Sequence, residues 1–296
     1  MEAKTLLVTG ASGFTGQHLI PAAKARGLYC VALTRDHEKT NASADSTEAA
    51  PLEDVKALRT VVDRVRPNYI IHLAAVSFVG HGHPKEIYET NLIGTLNLLE
   101  ALNASAVKPE RIVIASSANV YGRAETMPIT EEAPIQPVNH YAASKAAMEL
   151  MSRQFNDLSI TIVRPFNYTG IGQSPWFVIP KLVEAFRTRS ESLSLGDTTV
   201  ARDFSDVRDV CEAYLHLLSA PAGTYNVASG TSYTIDQVLE MVRHLSGHDL
   251  KILQHPELLR SSEIPKSVGS RIKLEQTTGL SVQYQLEDTL RWMLGV

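Results

Sequence analysis

Thiol chemistry is nearly missing from this chain: Cys30 and Cys211 are its only cysteines in 296 residues. Both lie in apolar surroundings, and neither has a partner at metal-ligand spacing. That excludes a disulfide scaffold and a thiolate metal centre, and both read as small core residues in a reducing compartment. Long apolar runs are also lacking; none approaches the roughly 20 residues that cross a bilayer. Met1 leads within a few residues into the first strand candidate, which leaves no room for a signal peptide, so the expected location is cytoplasmic. Basic charge is not in excess either. A formal net charge of −4 gives no footprint for nucleic acid, and neither nucleic acid nor membrane is an expected partner. Repeats and long linkers are absent.

What is present is an ordinary globular composition, 44% hydrophobic and 20% charged, at a length that suits one large domain or two closely joined ones. Thr5-Leu6-Leu7-Val8-Thr9 is a short apolar run of the kind that forms a buried parallel strand. It enters Gly10-Ala11-Ser12-Gly13-Phe14-Thr15-Gly16, and Gln17 to Arg26 then reads as a helix. The spacing is G-x-x-G-x-x-G. Such glycines permit a tight turn, let backbone approach a pyrophosphate, and aim a helix N-terminus at it. Between a strand and a helix, this loop predicts a bound dinucleotide, with Gly10, Ser12, Gly13, Phe14 and Gly16 as its contacts.

The next strand, Tyr29 to Arg35, selects the nucleotide. A site for NAD usually ends this strand in a carboxylate that holds the ribose 2′-hydroxyl, whereas a 2′-phosphate requires a cation. Here Thr34 and Arg35 occupy the position and Asp36 comes one place late. Arg35 therefore points to NADP(H), although a solvated loop arginine has the same appearance.

Tyr141-Ala142-Ala143-Ser144-Lys145 lies 24 residues after Ser117. A four-residue step on a helix puts the phenol and the ammonium on one face. A free phenol, with a pKa of about 10, passes protons poorly near neutrality. A nearby cation would favour the phenolate and bring the group toward working pH. Ser117 can add a hydrogen bond to a carbonyl or hydroxyl oxygen. Ser117, Tyr141 and Lys145 are thus the candidate catalytic set.

Strand and helix patterns alternate through the first half. Asn68 to Ala75 and Arg111 to Ser116 read as strands, as does Ser159 to Arg164; Pro84 to Ala104 and Asn139 to Asn156 read as helices. This predicts an α/β, Rossmann-like, doubly wound parallel sheet. Residues 36–50, where a third strand belongs, are small and polar, so a loop with at most a short edge strand is expected. After Arg164 the pattern breaks up. Helices are expected near Pro175–Arg189, Val207–Ser219, Thr234–Ser246 and Gln285–Leu294, with short strands near Leu193–Leu195, Thr224–Ala228 and Leu250–Leu253. The division expected is a nucleotide-binding domain over residues 1–165 and a smaller, interleaved α/β substrate-binding lobe over residues 166–296.

Several further motifs stand in order: His72-Leu73-Ala74-Ala75, Asn91 with Gly94-Thr95, Ser116-Ser117-Ala118-Asn119-Val120-Tyr121-Gly122, Arg164-Pro165-Phe166-Asn167, and Arg202-Asp203-Phe204 through Asp209. Together with the glycine loop and the Tyr/Lys pair, they resemble the extended short-chain dehydrogenase/reductase family of the epimerase/dehydratase type, whose members act on nucleotide-activated sugars. The likeness spans nearly the whole chain. It implies that Leu73, Ala74 and Ala75 line the cofactor, that Asn91 sits behind it, and that Asn167 and Arg202 approach a diphosphate. Arg202-Asp203 reads equally well as a local ion pair.

Family dehydratases place an acid where this chain has Asn119, and an amide cannot act as a general base. That leaves 4-epimerisation or reduction of a 4-keto sugar. The segments 164–173, 177–179 and 260–270 look most like those of reductases of GDP-linked sugars. That likeness implies an NADPH-dependent reduction of a GDP-linked 4-keto-6-deoxy sugar. It would put Arg260 on phosphate, Glu263 on the ribose hydroxyls, and Val178 and Lys181 near the base. Arg260 and Glu263 could equally be solvated loop charges, and Ser77, expected to touch the sugar, an ordinary loop serine. An NDP-sugar 4-epimerase holding NAD, a reductase for another GDP-sugar and a non-catalytic NADP(H) binder stay open. His81 and His83, with no further ligand at spacing, do not predict a metal site. The helices carrying Leu92, Leu96, Leu99, Ala146, Leu150 and Met151 are apolar on more than one face, which predicts a homodimer through a four-helix bundle.

Overall fold

The computed structural model describes residues 3–36, 41–77, 83–254 and 264–296. Leu6, Leu7 and Val8 are fully buried on β1 (Thr5–Thr9), so this strand has no solvent face, as a central parallel strand requires. The first half continues through α1 (Phe14–Ala25), β2 (Tyr29–Thr34), β3 (Ser46–Ala49), α2 (Val55–Val65), β4 (Tyr69–His72) and α3 (Pro84–Tyr88). A single π-helical turn (Glu89–Ile93) leads into α4 (Gly94–Ala104). Then follow β5 (Arg111–Ala115), a 3-10 turn (Ala118–Tyr121), α5 (His140–Ser152) and β6 (Ile160–Pro165).

The second half contains β7 (Asn167–Thr169), α6 (Val178–Arg187), β8 (Ser192–Leu195), β9 (Ala201–Asp206), α7 (Val207–His216) and β10 (Thr224–Val227). It ends with β11 (Ser232–Thr234), α8 (Ile235–Ser246), β12 (Lys251–Gln254), β13 (Lys266–Ser267), α9 (Ile272–Thr278) and α10 (Leu286–Leu294).

Seven strands form one all-parallel sheet in the order β10-β6-β5-β4-β1-β2-β3. One face packs on α1 and α7 through Leu19, Ile20, Val210 and Tyr214; the other packs on α2, α4 and α5 through Leu58, Val62, Leu98, Leu102 and Met148. Each such side chain contributes roughly 1.5–3 kcal/mol by leaving water. This is the Rossmann-like sheet the alternation predicted. A separate cluster built on Leu182, Phe186, Val238, Val242 and Leu290 holds α6, α8 and α10 together beside it.

Several elements differ from the sequence reading, which also did not place β7, β9, β11 and β13. Thr224–Val227, grouped there with the second half, pairs with β6 as the outer strand of the main sheet. Pro84–Ala104 is not one helix, because the π turn interrupts it at Asn91. Helix α2 had no place in that reading, although Asp54 caps it by accepting from Ala57 N at 3.0 Å and Leu58, Val61 and Val62 form its buried stripe. Helix α9 was missed as well. The polar stretch before Ala50 does supply the short edge strand, β3.

Candidate active site

The strand order reverses between β1 and β4, and the crevice at such a switch point is where open α/β sheets take ligands. Gly10 leaves β1 with φ +65°, and a Cβ there would stand 2.7 Å from the Ala74 nitrogen beyond β4. Only glycine lets the two loops approach so closely. A Cβ on Gly16 would strike the Ala11 carbonyl, so that glycine too serves close packing. Gly13 is the N-cap of α1 and supplies no side-chain cap, leaving the first-turn amides open to an anion. Phe14 stacks on Tyr168, with ring centroids 5.9 Å apart, and Thr15 Oγ1 is hydrogen-bonded to the Tyr168 hydroxyl at 2.8 Å. Asn41, buried in the polar stretch, donates from Nδ2 to the carbonyls of Ala11 (2.8 Å) and Gly16 (3.2 Å), which ties the loop down from outside.

His72 joins the two loops from beneath. Thr9 Oγ1 accepts from Ala74 N at 3.1 Å and lies 2.6 Å from His72 Nδ1; His72 Nε2 lies 2.9 Å from Thr95 Oγ1. Since Thr95 Oγ1 donates to the Asn91 carbonyl, the imidazole donates from Nε2 and accepts at Nδ1. Burial, with the Lys145 charge second, drives its pKa down to about 3, so it is a neutral strut.

Asn91 sits in the π turn, fully buried. Its Oδ1 accepts from Val76 N at 2.8 Å, and its Nδ2 donates to the Val76 carbonyl and to Ser144 Oγ, at 3.2 and 3.0 Å. One amide thus ties the loop carrying Leu73, Ala74 and Ala75 to the residue before Lys145.

Helix α5 opens at Asn139, whose Oδ1 accepts from Ala142 N at 2.8 Å and so sets the turn that carries Tyr141. Tyr141 is buried, and the Ser117 hydroxyl is near enough to act on its phenol. Burial, with the neighbouring Tyr168 second, raises its pKa to about 12, against the lowering effect of Ser117. Ser117 has extended backbone at the end of β5, and its Oγ also accepts from Asn119 N at 3.2 Å. Lys145 is buried, and its Nζ donates to the Ala115 carbonyl at 2.7 Å. Desolvation lowers the ammonium pKa to about 8, opposed by Glu149 one turn further on. The phenol is therefore not acidified by its lysine neighbour as the sequence pattern led one to expect; the groups that act on it are Tyr168 and Ser117.

Arg35 is exposed just past β2, where Thr34 Oγ1 donates to the Asp36 carbonyl at 2.7 Å. On the substrate side, Asn167 is exposed on β7, which pairs with β9 so that Asn167 is opposite Phe204. Arg202 lies on β9 and donates from Nη1 to the Ala201 carbonyl at 2.9 Å. Its neighbour Asp203 is engaged with the amides of Ser229, Gly230 and Gly269 and with the Ser229 hydroxyl. Val178 begins α6, and Lys181 Nζ donates to the Ser194 carbonyl at 2.6 Å. Ser77 is exposed in the segment after β4. Arg260, Glu263 and His81 lie outside the described residues. Among the described residues no cluster of His, Cys, Asp and Glu is arranged to hold a metal ion, and no helix is long and apolar enough to cross a membrane.

Residues 6–228 match the model of the NAD dependent epimerase/dehydratase family. The chain belongs to that family. Among its relatives, a GDP-6-deoxy-D-talose 4-dehydrogenase of Aggregatibacter actinomycetemcomitans is 34% identical over 93% of this chain and 91% of its own length. A GDP-6-deoxy-D-mannose reductase of Pseudomonas aeruginosa is 34% identical over 98% and 96%. Among solved structures, RMD from Pseudomonas aeruginosa complexed with NADPH superposes with a TM-score of 0.87 at 33% identity, covering 99% of this chain and 98% of that one. A Thermus thermophilus UDP-glucose 4-epimerase in complex with NAD gives 0.88 at 28% identity, covering 98% of each chain. A nicotinamide cofactor therefore suits the crevice, whose glycine contacts a Cβ would fill.

Tyr168, Asn41 and Glu149 had no assigned role in the sequence. Glu149 was within reach, being four residues beyond Lys145 on a predicted helix. Asn41 carried no local signal, because its partners are 25 and 30 residues away.

Proposed function

We propose that this chain reduces the C4 ketone of a GDP-linked 4-keto-6-deoxy sugar with NADPH, turning GDP-4-dehydro-6-deoxy-D-mannose into GDP-D-rhamnose. The observation that carries the reading is the placement of Ser117, just beyond β5, beside the buried Tyr141 phenol, with Lys145 buried on the same helix and its Nζ on the Ala115 carbonyl. Arg35 at the end of β2, with no carboxylate at that step, supports NADPH over NADH. The two GDP-sugar relatives support the substrate class. Asn167 and Arg202 approach the diphosphate, Val178 and Lys181 the base, Arg260 and Glu263 the rest of the GDP, and Ser77 the sugar.

When bound, NADPH supplies the hydride that reduces C4. Tyr141, held protonated by its burial throughout the neutral range, delivers its proton to the oxygen as negative charge develops there. Ser117 hydrogen-bonds that oxygen and keeps it in line with the phenol. Lys145 would hold the nicotinamide ribose, and its positive charge would offset the phenolate left on Tyr141. Gly10, Ser12, Gly13, Phe14 and Gly16 would seat the pyrophosphate, Leu73, Ala74 and Ala75 would line the cofactor, and Asn91 would sit behind it. In its working form the enzyme is a homodimer joined through a four-helix bundle.

The talose-forming stereochemistry is a second reading, favoured by the GDP-6-deoxy-D-talose relative. One assay separates the possibilities. Enzyme is incubated with NADPH and freshly made GDP-4-keto-6-deoxymannose, loss of reduced nicotinamide is followed, and the product is identified by NMR. The rhamno product is expected. A talo product selects the second reading, and no NADPH consumption points to a 4-epimerase instead.

A further inference from the structure

Beneath the catalytic set lies a buried polar network with no direct part in hydride or proton transfer. Glu149 and Arg164 are 1% and 2% exposed. Arg164 meets the carboxylate twice over, from Nε to Oε1 and Oε2 (3.0 and 3.2 Å) and from Nη2 to Oε2 (2.6 Å). The remaining nitrogen, Nη1, donates to the Tyr121 hydroxyl at 2.9 Å and the Glu131 carbonyl at 3.1 Å. Tyr121 donates its own proton to Asn226 Oδ1 at 2.6 Å, and Asn226 Nδ2 donates to the Ile129 carbonyl at 2.9 Å. Stability gives little reason to keep such a pair, since well-packed apolar residues of similar volume commonly do as well.

The network's contacts give a different reason. Glu149 Oε1 accepts from the Ser116 hydroxyl, and Ser116 lies between Ala115, whose carbonyl holds Lys145, and catalytic Ser117. Glu149 is also one helical turn from Lys145 on α5. A single carboxylate therefore touches the β5 terminus that aims Ser117 and faces the ammonium of Lys145, while Arg164 from β6 balances its charge.

We propose that the Glu149–Arg164 pair is the positioning device of the catalytic set: through Ser116 it holds β5 and α5 in one frame, and it keeps the charge beneath Lys145 at zero. The inference rests on the reading of Ser117, Tyr141 and Lys145 given above. Other groups facing the lysine are Tyr141 on its own helix, His72 from β4 and the Ala115 carbonyl from β5; Tyr121 and Glu131 face the pair from the segment between β5 and α5. His72 is neutral, the phenols are protonated and the Glu131 carboxylate is turned to the Asn226 amide, so Glu149 and Arg164 are the charges that decide the balance next to Lys145.

The test follows the Lys145 side-chain NMR signal of lysine-labelled enzyme through a pH titration without ligands, assigned by its loss in Lys145→Arg. Glu149→Gln keeps an acceptor for Ser116 but leaves Arg164 uncompensated, and the Lys145 midpoint is expected to fall by about one pH unit or more. Glu149→Gln combined with Arg164→Met removes both charges, and the midpoint is expected to return toward wild type. Ser116→Ala cuts only the tether: the midpoint stays, while kcat falls roughly tenfold at unchanged KM for NADPH.

An unmoved midpoint in Glu149→Gln, or a larger shift in the double variant, overturns the charge role. Unchanged kcat in Ser116→Ala overturns the tether. Should Glu149→Gln not fold, the double variant and Ser116→Ala still decide: a double variant whose midpoint departs from wild type by about one pH unit counts against the charge role. The titration needs no substrate, so a failed sugar assay would sink the proposed reaction and leave this comparison standing.

Discussion

Lys145 follows Tyr141 by one turn of α5, yet the two groups meet different partners: Lys145 Nζ donates to the Ala115 carbonyl at 2.7 Å, and the groups that act on the Tyr141 phenol are Tyr168 and Ser117. The lysine braces the β5 terminus. The phenol is held protonated by its burial, its pKa raised to about 12, which suits the proton donor proposed above.

Tyr141→Phe removes that proton and little else. Turnover is expected to drop at least about 100-fold, with NADPH affinity nearly unchanged. Steady-state rates paired with quenching of NADPH fluorescence measure both, and a near-wild-type rate would take Tyr141 out of the mechanism.

Arg35→Asp should invert the coenzyme preference. A carboxylate there repels a 2′-phosphate and accepts from a 2′-hydroxyl, so the ratio of kcat/KM for NADPH over NADH is expected to fall by about tenfold or more. An unaltered ratio would show that Arg35 does not face the ribose.

NADPH binding is expected to take up protons near pH 8. Free Lys145 has a pKa lowered to about 8, so part of it is neutral at that pH; an anionic cofactor whose ribose accepts from the ammonium favours the charged form. Calorimetry in two buffers of different ionisation enthalpy measures the uptake. Lys145→Met should abolish it.

His72 makes the fold sensitive to acid. Its pKa is about 3 in the folded chain against 6.5 when free, so its contribution to stability is complete above 6.5 and is lost as the pH falls toward 3. His72→Gln is expected to be less stable at neutral pH and to lose stability less steeply between about pH 6 and pH 4. Urea unfolding at several pH values tests this, and parallel pH curves would refute it.

Leu150 on α5 and Ile93 in the π turn are 54% and 45% exposed, large apolar groups on neighbouring elements. If this face joins two copies, Leu150→Glu should give a monomer in sedimentation while wild type runs as a dimer. Leu99 and Ala146, grouped with Leu150 on sequence pattern, are buried inward and belong to the core.

The glycine loop, the Ser117/Tyr141/Lys145 set and the alternation of strands and helices were legible in the sequence because each is a local pattern. A tight turn needs glycine where it bends, a helical step of four puts two residues on one face, and a buried parallel strand is apolar along its length. Polar residues that serve distant backbone were illegible. Asn41 looks like any loop amide until the Ala11 and Gly16 carbonyls arrive beside it. Thr224–Val227 follows a fragmented segment, and nothing in its own residues says that its partner is β6.

The order of residues by itself determined the fold class and the glycine loop and singled out the candidate proton-transfer group, since these follow from backbone permissiveness and side-chain chemistry. Tertiary structure alone decided what each charge meets. It turned Lys145 onto the Ala115 carbonyl, made His72 neutral between two threonines, and set Arg164 of β6 against Glu149 of α5. Burial and electrostatic balance depend on groups far apart in sequence, and only folding brings them within a few ångströms.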